Sequence, residues 1–128
     1  MITSLYKHNY YFKQGDIIYV DLGEGFDCEQ GGDRPCIVLQ NNIGNKYSPS
    51  LIIAPITTEL KKKNLPTHYI IENYKEYGLK KPSMILFEQI RTISKKRIID
   101  PSPKGYISLT KIRRYIEISF GLTSIYDN

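Results

Sequence analysis

The chain has 128 residues, 41% of them hydrophobic and 24% charged, with a formal net charge of +5 and a pI near 9.1. This length and balance fit one folded domain with its own core and exclude a disordered or low-complexity chain. No run reaches the roughly 18 apolar residues of a membrane span, and residues 1–14 lack the apolar stretch of a secretory signal, so a cytoplasmic location with no membrane association is expected. The positive balance is compatible with a polyanionic partner. Cys28 and Cys36, the two cysteines, are expected as free thiols in that compartment. With two distant histidines they form no zinc spacing, so neither a metal nor any other cofactor is expected.

Residues 1–13 are polar and tyrosine-rich and read as a loosely attached arm. Gly15-Asp16 opens a strand over 17–22, with Ile18, Val20 and Leu22 on one face and Tyr19 and Asp21 on the other. Residues 23–33 hold four glycines and four acidic residues, which predicts a long mobile loop between strands. Pro35 biases Arg34 towards an extended backbone, so the arginine begins a second strand, 35–41, apolar enough to be buried on both faces. Asn41 to Asn45 and Ser48-Pro49-Ser50 read as turns. Leu51 to Thr58 is a third strand, Lys61-Lys62-Lys63-Asn64 a basic loop, and Thr67 to Ile71 a fourth strand. Asn73 to Gly78 suits one helical turn stopped by Gly78. Ser83 to Ile93 is the longest strand candidate, and Ile98 to Ser102 a last short one. Ser108 is an N-cap for a helix in which Leu109, Ile112, Ile116 and Phe120 recur at helical spacing, with Gly121 as its stop; the stripe is core or dimer surface. Five or six strands and a terminal helix predict a small curled sheet or barrel over 14–123, with 124–128 as a short tail.

Two strand ends carry the chemistry. Arg34 enters the second strand behind Glu29-Gln30-Gly31-Gly32-Asp33, and Thr57 closes the third after Ile56. A guanidinium meets phosphate oxygens two at a time, and a hydroxyl adds one more donor, so the pair can grip a phosphodiester. Were that phosphodiester RNA's, the substrate would bring its own nucleophile, the ribose 2′-hydroxyl. Arginine is a poor proton acceptor, which assigns Arg34 chiefly to electrostatics and leaves Glu29 or His68 as the conventional base. By period two, Gln89 and Arg91 share one strand face and could contact RNA from a groove floor. Lys61, Lys62 and Lys63 are either a solvated loop or phosphate contacts.

In order along the chain stand Gly15-Asp16-Ile17, Glu29-Gln30-Gly31-Gly32-Asp33-Arg34-Pro35, Val38-Leu39-Gln40-Asn41, Ile43-Gly44-Asn45, Ser48-Pro49, Ile56-Thr57, Leu65-Pro66-Thr67-His68, Tyr77-Gly78, Glu88-Gln89-Ile90-Arg91-Thr92-Ile93 and Ser119-Phe120-Gly121-Leu122. Together they resemble the MazF/PemK (Kid) family of toxin endoribonucleases from toxin–antitoxin systems, nearest its Gram-positive MazF branch. The resemblance implies a mainly β (α+β) fold, an SH3-like small barrel of the CcdB/PemK toxin superfamily with a C-terminal α-helix. It implies a homodimer and a cognate MazE-like antitoxin whose acidic tail lies along the RNA groove. It implies metal-independent, sequence-specific cleavage of single-stranded RNA, with 2′,3′-cyclic phosphate and 5′-hydroxyl ends, and hints at a UACAU-like site. Arg34 and Thr57 match the family's catalytic pair, with Glu29 beside them; Gln30, Gly31, Lys61, Lys62, Lys63, Pro66, His68, Gln89 and Arg91 are the expected RNA contacts. The chain departs at Cys28, where a small hydroxyl residue is usual, in its longer N-terminal arm, and around Asn73–Tyr77. A CcdB-type poison that traps gyrase without catalysis, and an inactive RNA- or antitoxin-binding module, are the alternative readings.

Overall fold

The computed structural model describes residues 12–60 and 65–126. Most of the arm and the Lys61–Lys63 run lie outside the described residues. In chain order the elements are β1 (Asp16–Asp21), β2 (Asp33–Val38), α1 (Asn42–Tyr47), β3 (Ser50–Thr57), β4 (His68–Ile71), β5 (Ser83–Leu86), β6 (Arg91–Ser94), β7 (Ile98–Tyr106) and α2 (Leu109–Ser119). Short 3-10 turns cover Tyr74–Tyr77, Phe87–Gln89 and Lys95–Arg97. No helix among the described residues is long and apolar enough to cross a membrane.

The strands form one 7-stranded sheet in the order β4-β5-β3-β2-β1-β7, with β6 pairing β3 off this path. The order ends on two edges, β4 and β7, which do not pair with each other. The sheet is therefore open, and the expected SH3-like barrel is corrected to a mixed fold with a terminal helix. The physical reason lies at the edges. β4 has only four residues, and Pro101 and Pro103 in β7 have no N–H to offer a partner strand. The chain after β4 instead docks its 3-10 turn on β7 by close backbone approach. Gly105 permits it, since a Cβ there would lie 2.6 Å from the Tyr77 Cα.

β3 organises the sheet. Its first half pairs with β6 (Leu51 with Ile93, Ile53 with Arg91), and its last two residues pair with β5 (Ile56 with Ile85, Thr57 with Met84). The single strand expected over Ser83–Ile93 is thus broken at Phe87–Gln89, because its two halves serve different stretches of β3. Gln89 lies in the turn and Arg91 opens β6, so they do not share one strand face. The last strand also runs longer than expected, to Tyr106, with register shifts where it crosses β1.

The sheet has cores on both faces. Phe12, Ile18, Val20, Leu22, Cys36, Val38, Leu51, Ile53 and Ile93 form one. Ile17, Ile37, Ala54, Ile56, Ile71, Ile85, Phe87, Ile107 and Ile112 form the other, under α2. This explains the continuous apolar run of β2, whose successive side chains enter opposite cores. Phe12 is only 4% exposed, so the chain is anchored from that residue onward.

Helix ends follow local chemistry. Asn41 to Asn45, expected as a turn, enters α1, where the Asn41 side chain accepts the Gly44 amide proton; Pro49 follows the helix and keeps Ser48 extended. In α2, Ser108 caps the start by accepting from the Thr110 amide. Gly121, at φ 70°, closes a Schellman turn in which Leu122 N donates to Glu117 O (2.8 Å) and Gly121 N to Ile118 O (3.1 Å). Ile112 is buried, whereas Phe120 of the same stripe is 61% exposed.

Lys95 is the buried cation of the fold, at 1% exposure. Its amine donates to the carbonyls of Gly44 (3.2 Å) and Asn45, tying α1 to the chain after β6. Burial lowers its pKa from the ordinary lysine value. Lys95→Met strands both carbonyls, and urea unfolding should show a loss of about 1–3 kcal/mol.

Candidate nucleic-acid interface

The β2–β3 register pairs Cys36 with Pro55 and Ile37 with Ala54. Continued two residues outward, it sets Arg34 across from Thr57. The side chains obey it. Arg34 Nη1 donates to the carbonyl of Ile56 (3.3 Å), the peptide that leads into Thr57. Arg34 Nε donates to the carbonyl of Gly31 (2.8 Å). The guanidinium is thus braced at both strand ends and half-buried, and no carboxylate pairs with it among the described residues.

Thr57 is 2% exposed. Its hydroxyl oxygen accepts the Glu59 amide proton (3.1 Å), and its own proton has no acceptor among the described residues. The residues that follow it, Thr58, Glu59 and Leu60, are exposed.

Arg91 is the second half-buried arginine without an ion-pair partner among the described residues. The register sets both on the Cys36 side of the sheet: Arg34 stands two residues before Cys36, and Arg91 pairs with Ile53, which shares the core of Cys36. Burial pushes the Cys36 thiol from 9.0 up to about 12, the two positive charges pulling weakly the other way. Cys36 is a neutral, unreactive thiol whose S–H points to the Arg34 carbonyl (3.8 Å). Cys28 is exposed on the loop, and both cysteines are free.

The loop between β1 and β2 is stitched rather than loose. Gly32 N donates to Gly23 O (2.7 Å) and Leu22 N to Gly32 O (3.0 Å). Gly25 and Gly31 pack backbone to backbone, and a Cβ on either would collide with the other strand of the loop. Glu29 turns inward on the loop, its carboxylate accepting the Phe26 amide proton (3.1 Å) and not meeting Arg34. Gln30 is buried. Its amide donates to the side-chain oxygen of Gln89 (2.8 Å), whose nitrogen donates to the carbonyl of Cys28 (3.2 Å).

His68, at 5% exposure, opens β4. Its Nδ1 accepts the Leu65 amide proton (3.2 Å). Nε2 therefore carries the ring proton and donates it to Glu88 (2.8 Å). Glu88 also accepts from the Thr67 hydroxyl (3.0 Å). Pro66 is exposed beside them. Of the residues expected at the site, the structure joins Arg34 to Gly31 and to the peptide before Thr57, and Gln30 to Gln89, while Glu29 does not meet Arg34, His68 opens β4 with Pro66 just before it, and Lys61, Lys62 and Lys63 lie outside the described residues. Glu88, which holds His68 and Thr67, was not singled out as a site residue from the sequence; its place directly before Gln89 was the available signal.

A braced, half-buried arginine, a second arginine without an ion-pair partner among the described residues and a hydroxyl at the neighbouring strand end are donors of the kind that suit an anion. The chain belongs to the family of PemK-like, MazF-like toxins of type II toxin–antitoxin systems, which it matches over residues 13–116. It is 50% identical over 88 residues to the endoribonuclease EndoA of Bacillus subtilis (strain 168), covering 69% of this chain and 75% of that protein. Its fold is similar to MazF from Deinococcus radiodurans (TM-score 0.70, 18% identity, 86% of this chain and 96% of the other). It is also similar to an endoribonuclease in complex with its cognate antitoxin from a mycobacterial species (TM-score 0.68, 20% identity, 88% and 97% covered).

The Cys36 thiol links stability to pH. Unfolded it ionises near 9.0 and folded near 12, so between these values the native state keeps a proton that the unfolded chain has lost. Stability present below pH 9 is therefore lost as pH rises towards 12. From pH 8 to pH 10, denaturant unfolding should show a fall of about 1.4 kcal/mol that is missing in Cys36→Ala. Gly31→Ala should cost a further about 1–3 kcal/mol of stability, by forcing the loop apart.

Proposed function

We propose that this chain cuts single-stranded RNA at a short sequence by driving the ribose 2′-hydroxyl onto the adjacent phosphorus, with Arg34 and Thr57 as the catalytic pair. The protein is the toxin component of a toxin–antitoxin system, with the endoribonuclease activity typical of its family. The observation that carries the mechanism is Arg34 itself. Two of its nitrogens are spent on Gly31 O and Ile56 O, and the third has no acceptor among the described residues. A half-buried cation held this way is preorganised for a phosphoryl oxygen. Thr57, whose hydroxyl proton has no acceptor among the described residues, donates it to the same phosphate. In-line placement of the 2′-hydroxyl supplies the remainder.

Proton transfer falls to Glu29 in this reading, after it releases the Phe26 amide. His68 is less suited to it, since both ring nitrogens are already engaged. Gln30, Gly31, Gln89 and Arg91 contact the RNA strand, with Pro66 and the lysines at 61–63 continuing the groove. The products are a 2′,3′-cyclic phosphate and a 5′-hydroxyl, and no divalent ion takes part. The toxin domain spans 14–123, with Phe12 and Lys13 packed onto it.

A MazE-like antitoxin with an acidic segment would occupy the same groove, which Arg34 and Arg91 make electropositive. The solved relatives that include MazE-MazF complexes support this partner. A second copy of the chain covers the α2 face, where a groove of about 450 Å³ is lined by Leu109, Ile116 and neighbouring polar residues, and where Phe120 and Leu122 are 61% and 73% exposed.

The purified protein should cut a long RNA in EDTA, with primer extension giving the site and end-group analysis the chemistry. Arg34→Ala should lower kcat by about 10²–10³, the effect of removing one preorganised donor, and Thr57→Ala should act in the same direction while the folded state survives. Uncut RNA across varied sequences would sink the reading.

A further inference from the structure

The two loops that flank Arg34 and Thr57 share no direct hydrogen bond among the described residues, yet both are tied to the turn Phe87–Gln89. On one side Gln89 clasps the first loop through Gln30 N (2.8 Å) and Cys28 O (3.2 Å). On the other, Glu88 takes the Thr67 hydroxyl (3.0 Å) and the His68 ring (2.8 Å), and the ring in turn holds the Leu65 amide (3.2 Å). Phe87 adds two bonds. Its amide donates to Thr67 O (3.0 Å), and its carbonyl accepts from the Ser119 hydroxyl of α2 (2.6 Å). The Phe87 ring is fully buried, so the turn cannot slide without disturbing the core beneath α2.

Each element of this connection has a defined acceptor and donor. Glu88 uses both carboxylate oxygens on one loop, while the side chain of the next residue uses both its polar atoms on the other. A carboxylate bonded to a buried imidazole and a hydroxyl is stronger than a neutral pair and is oriented by both. The break between β5 and β6, which a continuous strand would lack, is what lets adjacent residues face different loops.

We propose that Glu88 is a positioning residue: together with Gln89 it couples residues 28–30 to residues 65–68, so that RNA seated against one segment steadies the other. This rests on the nuclease reading and assigns His68 to the coupling rather than to proton transfer. Coupling of this kind is reciprocal, so loosening either side must loosen the other.

Backbone amide exchange by NMR on the full chain tests it without RNA. Glu88→Ala should speed exchange at Leu65 and also at Gln30, and Gln89→Ala should do the same from the other side. If each substitution speeds only its own loop, the coupling is overturned. In steady-state cleavage, Glu88→Ala should raise KM about tenfold, equal to about 1.4 kcal/mol, with kcat changing less than about threefold. Glu88→Gln, which keeps one acceptor, should recover most of the loss. An unchanged KM with only a lower Tm would overturn the proposal as well. Should Glu88→Ala fail to fold, Thr67→Val and Glu88→Gln give the same two readouts. Wild-type protein that leaves RNA uncut sinks the nuclease reading alone, since the exchange measurement does not depend on it.

Discussion

The antiparallel pairing of β2 with β3 is the constraint on which the site depends. Its register brings Arg34 across from Thr57 and lets the guanidinium reach the Ile56 carbonyl. Slipping the pair by one residue would turn every inward side chain of β2 to the other face. Cys36 and Val38 would exchange cores with Ile37, and Arg34 would turn away from Thr57. The two cores therefore enforce the geometry of the site, because burial on both faces leaves the strand only one acceptable register.

This arrangement holds positive charge where charge is costly. Arg34 and Arg91 are half-buried without carboxylates among the described residues, and Cys36, on the same side of the sheet, is kept neutral by burial. A thiolate or an internal ion pair at that place would cancel the positive field of the two guanidiniums. Leaving cations unpaired weakens the free protein and strengthens its complexes, since the anion that arrives finds donors already aimed. The acidic residues of the β1–β2 loop do not fill that role. Glu29 is turned onto the Phe26 amide.

The loops owe their shape to specific acceptors more than to burial. Gly25 and Gly31 allow two backbones to touch, and Gln89 fastens the result to the sheet. Across the site, Glu88 and His68 hold the segment that returns to β4. Thr57 itself is buried at the end of β3. Strand pairing fixes where Arg34 and Thr57 stand, and the bonds of Gln89 and Glu88 shape the neighbouring loop segments.

The amino-acid sequence by itself determined the family, the strand ends that carry Arg34 and Thr57, the two-sided burial of β2 and the caps of α2. These rest on local signals: apolar periodicity, Pro35 behind Arg34, Ser108 before a helical stripe, and motifs in a fixed order. Only the tertiary structure decided that the sheet stays open, because closure depends on whether β4 and β7 meet, and a close approach at Gly105 by Tyr77 intervenes. It also decided that Ser83–Ile93 breaks at Phe87–Gln89, since apolar alternation is the same whether a strand serves one neighbour or two stretches of β3. The part played by Glu88 was hidden for the same reason. Its partners lie about twenty residues away in the chain, and a hydrogen bond over that separation leaves no periodic trace in a single sequence.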